Sequence, residues 1–248
     1  MKVTGVYFSP TENTRKSIEA MATALDRRYD TIDLTLPENA QVQREFLKEE
    51  FVIIGAPVYA GRLPKEAAQR MKGLKGDHTP CLIIVTYGNR HYDDALVELE
   101  DIVKKQGFAV KGAAALIGRH TYGDIQSERP DAQDLAADGE FTREAANNDR
   151  MISKIPGNRP YAKEAVYGGK FKPLTADTCV GCGLCKENCP VGAIEEDFIV
   201  NEQTCMSCFR CIRNCPVGAK HMKTKAYEQF AEEFSQKLEK RRENEYYL

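Results

Sequence analysis

Thr178-Cys-Val-Gly-Cys-Gly-Leu-Cys-Lys-Glu-Asn-Cys-Pro-Val-Gly-Ala193 recurs further along the chain as Thr204-Cys-Met-Ser-Cys-Phe-Arg-Cys-Ile-Arg-Asn-Cys-Pro-Val-Gly-Ala219. Each copy reads C-x-x-C-x-x-C-x-x-x-C-P. Two-residue gaps let a tight turn aim successive thiolates into one cavity, and four soft thiolates around a compact inorganic core suit iron–sulfur chemistry. Structural zinc is usually held by two separated C-x-x-C pairs supplying four ligands. Three evenly spaced cysteines followed by Cys-Pro, twice over, are not that pattern. Eight of the nine cysteines lie between Cys179 and Cys215, a concentration expected of metal binding rather than of disulfides. A segment of about 50 residues buries too little apolar surface to fold alone, so the bound group must also hold it together.

Upstream of this segment the chain changes character. Val3–Phe8, Thr31–Leu34, Phe51–Gly55, Cys81–Thr86 and Ala109–Ile117 are short apolar runs, as in parallel strands buried on both faces. Helical stretches alternate with them. Ile18, Met21, Ala22 and Leu25 form one stripe after Asn13, and Leu96, Leu99, Ile102 and Val103 form another before Gly107. Pro130–Ile152 reads as a last helix, with a break or fraying expected at Gly139 and at Asn147-Asn148. Pro37–Glu50 is poorly supported as a helix. Five strands alternating with helices predict an α/β fold, a doubly wound parallel sheet. Residues 156–175, with Pro156, Gly157, Pro160, Gly168, Gly169 and Pro173 in or beside them, read as a linker. The expected organisation is thus 1–155, the linker, the cysteine domain at 176–224, and a C-terminal helix at 225–248. Tyr227, Phe230, Phe234 and Leu238 lie along one side of that helix, a stripe expected to pack on the protein itself.

The 248 residues are 42% hydrophobic and 29% charged, with a net charge of −2. That balance gives no general attraction to nucleic acid or acidic membranes. The longest aliphatic run, Leu82–Val85, is far short of the roughly 20 residues that span a bilayer, so no membrane insertion is expected. Met1–Gly5 reads straight into a strand without a signal-peptide core, which predicts a cytoplasmic location.

The cysteine repeat resembles that of bacterial two-cluster ferredoxins over residues 175–223. In that family the fourth cysteine of each run crosses to the other cluster. The resemblance therefore implies two 4Fe-4S clusters: cluster A on Cys179, Cys182, Cys185 and Cys215, and cluster B on Cys205, Cys208, Cys211 and Cys189. Gly181, Gly183, Gly192 and Gly218 are expected to let the backbone point N–H groups at sulfur. Between its cysteines the first repeat carries Lys186 and Glu187, the second Arg210 and Arg213, so cluster B is expected to have the higher potential.

The first strand ends in Phe8-Ser9-Pro10-Thr11-Glu12-Asn13-Thr14, directly before a helix. Such a strand–loop–helix offers an anion free N–H groups, hydroxyls and the positive end of the helix. Here the sequence resembles flavodoxins. Ser9, Thr11, Asn13 and Thr14 match that family's phosphate loop, and Glu12 stands where it usually has glycine. Gly55–Pro64 and Val85–Leu96 resemble its two ring-binding loops, which places Pro57, Tyr59, Gly61, Tyr87, Gly88, Asn89 and Tyr92 about the ring of FMN. Tyr59 and Tyr92 are the candidates to stack on it, with Tyr87 a third. Arg62 reads as a solvated surface residue, Cys81 as a core residue, and His120 and Tyr122 as ordinary polar loop residues.

As a whole the chain resembles the flavodoxin–ferredoxin fusions of anaerobic bacteria and archaea. That implies a flavodoxin-like sheet of five strands in the order 2-1-3-4-5, plus a small α+β two-cluster ferredoxin domain. The implied role is electron transfer, coupling one- and two-electron steps for redox partner proteins, ferredoxin-dependent or flavin enzymes with basic docking patches. A flavin-dependent reductase of a quinone or another small acceptor, fed through the clusters, is the alternative. No G-x-G-x-x-G nicotinamide fingerprint follows the first strand, and no catalytic residues are assigned.

Overall fold

The apolar runs assemble into one twisted sheet in the computed structural model, which describes residues 1–148, 152 and 154–248. In chain order the elements of the first part are β1 (Lys2–Tyr7), α1 (Asn13–Leu25), β2 (Asp30–Asp33), β3 (Arg44–Phe46), β4 (Glu50–Pro57), α2 (Lys65–Arg70), β5 (Leu74–Gly76), β6 (Thr79–Tyr87), α3 (Ala95–Lys105), β7 (Phe108–Ile117) and α4 (Ala132–Asn147). The parallel strands lie in the order β2-β1-β4-β6-β7. Counting only those five, the order is 2-1-3-4-5.

Successive side chains of each strand face opposite ways, and both faces are covered. Ile54 and Ile83 join the core under α3, whereas their neighbours Ile53 and Leu82 join Ile18, Met21 and Phe141 under α1 and α4. Between β2 and β4 there is no α-helix, only a single 3-10 turn at Pro37–Asn39; β3 pairs with β5 as a small separate parallel ribbon. The helix α4 runs without a break through Gly139, which is buried where a Cβ would come within 3.3 Å of Ala24. Close packing of α1 on α4, rather than a bend, accounts for that glycine. The expected end of α4, Asp149–Met151, lies outside the described residues.

The cysteine-rich part contains β8 (Leu174–Thr175), α5 (Leu184–Glu187), α6 (Arg210–Arg213) and β9 (Lys220–His221). The antiparallel pair β8–β9 closes it. The tail departs from the expected single helix: α7 (Lys225–Lys237) is followed by β10 (Glu245–Tyr247), which adds antiparallel to the edge of β7 as a sixth strand. Tyr246 donates to Asp138 of α4, and Tyr92 bonds both Glu245 and Tyr247.

The segment between the two parts is strapped down. Asn158 and Ala162 donate three hydrogen bonds of 2.7–2.9 Å to the buried Asp94 carboxylate, and Tyr161 donates to Asp101 at 2.7 Å. Arg62 is not a solvated residue. It is buried, forms a two-pronged pair with Glu98 at 2.8 and 2.9 Å, donates to the Lys163 carbonyl and stacks on Tyr161. No helix among the described residues is long and apolar enough to cross a membrane.

Candidate functional site

The eight clustered cysteines fall into two sets in space. Cys179, Cys182 and Cys185 line one pocket together with Cys215 from the second repeat. Cys205, Cys208 and Cys211 line another with Cys189 from the first. No three described Cys, His, Asp or Glu side chains converge closely enough to hold a single metal ion. All eight thiols are free.

Backbone N–H groups reach sulfur at Ala193–Cys189 and Ala219–Cys215, both 3.2 Å, and at Ser207–Cys205, 3.4 Å. Of the four glycines singled out in the sequence, Gly218 is among the N–H groups that act on Cys215. Burial pushes the Cys211 thiol up to about 12. At Cys215 burial also raises the pKa, but backbone N–H groups from Val217 to Lys220 outweigh it and lower the net value, favouring thiolate.

The two repeats share a backbone but not a neighbourhood. Gly181 and Gly183 have positive φ of 68° and 80°, and their counterparts Ser207 and Phe209 adopt the same left-handed conformation at 59° each. A side chain there costs roughly 1–2 kcal/mol. What it gains is contact. Ser207 donates to the Gly169 carbonyl, and Phe209 packs against Tyr122 with ring centroids 5.1 Å apart. The first repeat faces solvent at these positions, whereas the second faces the α/β domain, and Met206 and Cys208 belong to that domain's core.

At the carboxyl edge of the sheet, Ser9, Thr11, Asn13, Thr14, Pro57, Tyr59, Tyr87 and Gly88 line a small cavity. Glu12 has φ 67°, the conformation glycine supplies freely. Its carboxylate pairs outward with Arg210 at 3.0 Å and Arg15 at 3.2 Å. Among the described residues no backbone carbonyl accepts from the amides of Thr11, Glu12, Asn13 or Thr14. The Arg15 amide goes to Ser9 Oγ, and the Thr14 and Thr86 hydroxyls bond each other at 2.6 Å. Four free N–H groups on a left-handed turn at a helix start form an anion-binding concavity, which suits a phosphate monoester.

Val58, Tyr59, His120 and Thr121 belong equally to a second, larger cavity. Its other walls come from Gly168 and Gly169, from Met206 and Ser207, and from Phe230 and Phe234 of α7. The α7 stripe thus packs on the protein itself, in an aromatic cluster with Tyr122, Phe171 and Phe209. The apolar walls of this second space suit a tricyclic ring. The two spaces together fit a phosphorylated flavin.

Three expected ring contacts are not brought to either cavity. Tyr92 is 2% exposed and spends its hydroxyl on the tail, so stacking by Tyr92 is corrected. Asn89 donates to the Leu238 and Lys240 carbonyls, pinning the chain after α7. Gly61 takes φ 87° and accepts from the Asp94 amide. Conversely, His120 was passed over although it follows the fifth parallel strand on the ligand edge. It lies between the two cavities, edge-on to Phe234, and burial lowers its pKa to about 4, so the imidazole there is neutral at physiological pH.

Residues 173–195 match the family described as the 4Fe-4S binding domain. No match to this chain was found among curated proteins. Over 59% of its length the chain is similar to several solved structures. A flavodiiron core from Synechocystis sp. is 16% identical with a TM-score of 0.43, and this chain covers 35% of it. Flavodoxin 2 from Bacillus cereus is 14% identical with a TM-score of 0.43, 98% of that chain being covered. A Fusobacterium nucleatum flavodoxin bound to flavin mononucleotide is 13% identical with a TM-score of 0.40, again with 98% covered. The chain thus joins an α/β domain whose parallel strands run in the order 2-1-3-4-5 to a segment, residues 173–195, that is similar to the 4Fe-4S binding domain family.

Proposed function

We propose that the protein is an iron–sulfur flavoprotein electron carrier holding one FMN and two 4Fe-4S clusters. The observation that carries this reading is a shared wall: Met206 and Ser207, which lie between Cys205 and Cys208, line the same cavity as Tyr59 and His120. Cluster B would thus be the neighbour of the flavin, and cluster A the outer terminal. FMN, when bound, supplies the two-electron chemistry that single-electron clusters lack.

The phosphate would sit on the amides of Thr11–Thr14 with the hydroxyls of Ser9, Thr11 and Thr14, and the ring against Pro57, Tyr59, Tyr87 and Gly88. Cluster A would take Cys179, Cys182, Cys185 and Cys215; cluster B would take Cys205, Cys208, Cys211 and Cys189. On the outer side Val180, Leu184 and Val217 are 65%, 40% and 46% exposed around the cluster A cavity. Exposed Asp177, Glu187, Glu195, Glu196 and Asp197 accompany them in the first repeat and its flanks. This face suits a redox partner with a basic rim and an apolar centre.

Cofactor analysis of anaerobically purified protein tests the reading. About eight iron, eight sulfide and one FMN per chain are expected, followed by two cluster midpoints and a flavin couple in a spectroscopic titration. Zinc in place of iron, or FAD on acid extraction, overturns it.

A further inference from the structure

The second repeat reaches into the phosphate cradle. Arg210 lines the cavity of cluster B. Its guanidinium donates to the Pro10 carbonyl at 2.8 Å and pairs with Glu12 at 3.0 Å. Arg213 donates to the Thr11 carbonyl at 3.4 Å and the His120 carbonyl at 3.0 Å. Their counterparts in the first repeat are Leu184 and Glu187, both exposed.

What these contacts do follows from peptide geometry. Among the described residues the cis bonds precede Pro130 and Pro160, so the peptides at issue here are trans. In a planar trans peptide the C=O and the following N–H point opposite ways. A guanidinium that fixes the Pro10 carbonyl therefore aims the Thr11 N–H. Fixing the Thr11 carbonyl aims the Glu12 N–H, and fixing that of His120 aims the Thr121 N–H. Thr11 and Thr121 both line the cradle. A cation on the carbonyl also polarises the amide and strengthens its N–H as a donor.

We propose that Arg210 and Arg213 are positioning residues for the flavin phosphate, so that FMN retention depends on the second cysteine repeat being assembled around its cluster. The inference rests on the proposed function. Neither arginine need touch the flavin; each sets the direction of amides that do. Because coupling between two binding sites is reciprocal, bound FMN in turn stabilises cluster B.

The test uses the full chain, purified anaerobically with its iron, stripped of flavin and titrated with FMN by fluorescence quenching. Arg210→Gln/Arg213→Gln, with iron retained, is expected to bind FMN on the order of 5–150-fold more weakly, the usual range for coupled sites. Glu187→Gln, at the first-repeat counterpart of Arg213, is expected to bind as the parent does. Removing iron from the parent should weaken FMN by a similar factor, and removing it from the double variant should add little. A double variant with parental iron and parental affinity overturns the clamp alone, whereas a parent that takes up no FMN overturns the proposed function with it. If the double variant loses its iron, Arg213→Lys decides the matter, since lysine keeps the charge but lacks the divergent fork. Weaker FMN binding in that variant supports the clamp and parental binding overturns it.

Discussion

Cys189 and Cys215 occupy the same place in the two repeats, yet their replacement should have different consequences. Cys189→Ala removes one thiol from the cavity of Cys205, Cys208 and Cys211. Iron should fall from about eight to about four per chain, and the surviving paramagnetic signal should be that of the cluster held by Cys179, Cys182 and Cys185. Cys215→Ala should leave the opposite cluster. The larger contrast is in stability. Pro190, next to Cys189, accepts at 2.7 Å from Arg70, a buried cation otherwise held by the Leu34 and Thr35 carbonyls. Hydrogen bonds to charged groups contribute about 1.5–3 kcal/mol. Met206, in the same cavity wall and in the main core, contributes about 1.5–3 kcal/mol through burial. Residues 216–218, following Cys215, are exposed and put little at risk. Cys189→Ala should therefore be less stable than Cys215→Ala by about 3–6 kcal/mol. For a chain of this length that is a Tm gap of roughly 10 °C. Anaerobic thermal unfolding, with iron analysis and electron paramagnetic resonance on the same samples, reads all three quantities. Equal melting temperatures, or a Cys189→Ala variant that keeps the second-repeat cluster, would refute the reasoning.

Three further outcomes are expected. Thr14→Val removes a cradle hydroxyl and orphans that of Thr86, so FMN affinity should fall about tenfold with cluster content unchanged; unaltered affinity would remove Thr14 from the phosphate site. Glu12→Gly should bind FMN as well as the parent or better, since glycine relieves a left-handed residue and Arg210 keeps its bond to Pro10; a loss beyond tenfold would show that the Glu12 carboxylate organises the loop. Asp138, fully buried beneath Tyr246, has its pKa raised by burial from 3.8 to about 7. The unfolded chain releases this proton first, so stability is lost as pH rises from about 4 through 7, by up to about 4 kcal/mol. Asp138→Asn should accordingly gain stability over the parent at pH 8 but not at pH 4.5, and a pH-independent difference in denaturant midpoints would exclude the buried charge.

The parallel sheet was legible because strands buried on both faces must be apolar throughout, and Phe51–Gly55 and Cys81–Thr86 have no other way to satisfy that condition. The phosphate loop was legible for a similarly local reason, since hydroxyls and a helix start lie within six residues of chain. Cysteine spacing likewise announced metal chemistry. What the spacing does not contain is which sulfur faces which cavity. The exchange of Cys189 and Cys215 between the sets depends on how two repeats dock, and only the fold decides that. Arg62, Tyr92 and His120 were misjudged because their partners, Glu98, Glu245 and Phe234, are 36 to 153 residues away. Burial is a property of the assembled surface and leaves no mark in the neighbouring sequence. The same holds for β10: Glu245-Tyr246-Tyr247 is too short and polar to read as a strand until the edge of β7 supplies its hydrogen bonds. Local chemistry, in short range, fixed the kinds of site this chain carries. Long-range packing chose their neighbours, because the arginines of one repeat and the loop they grip meet across about 200 residues of chain.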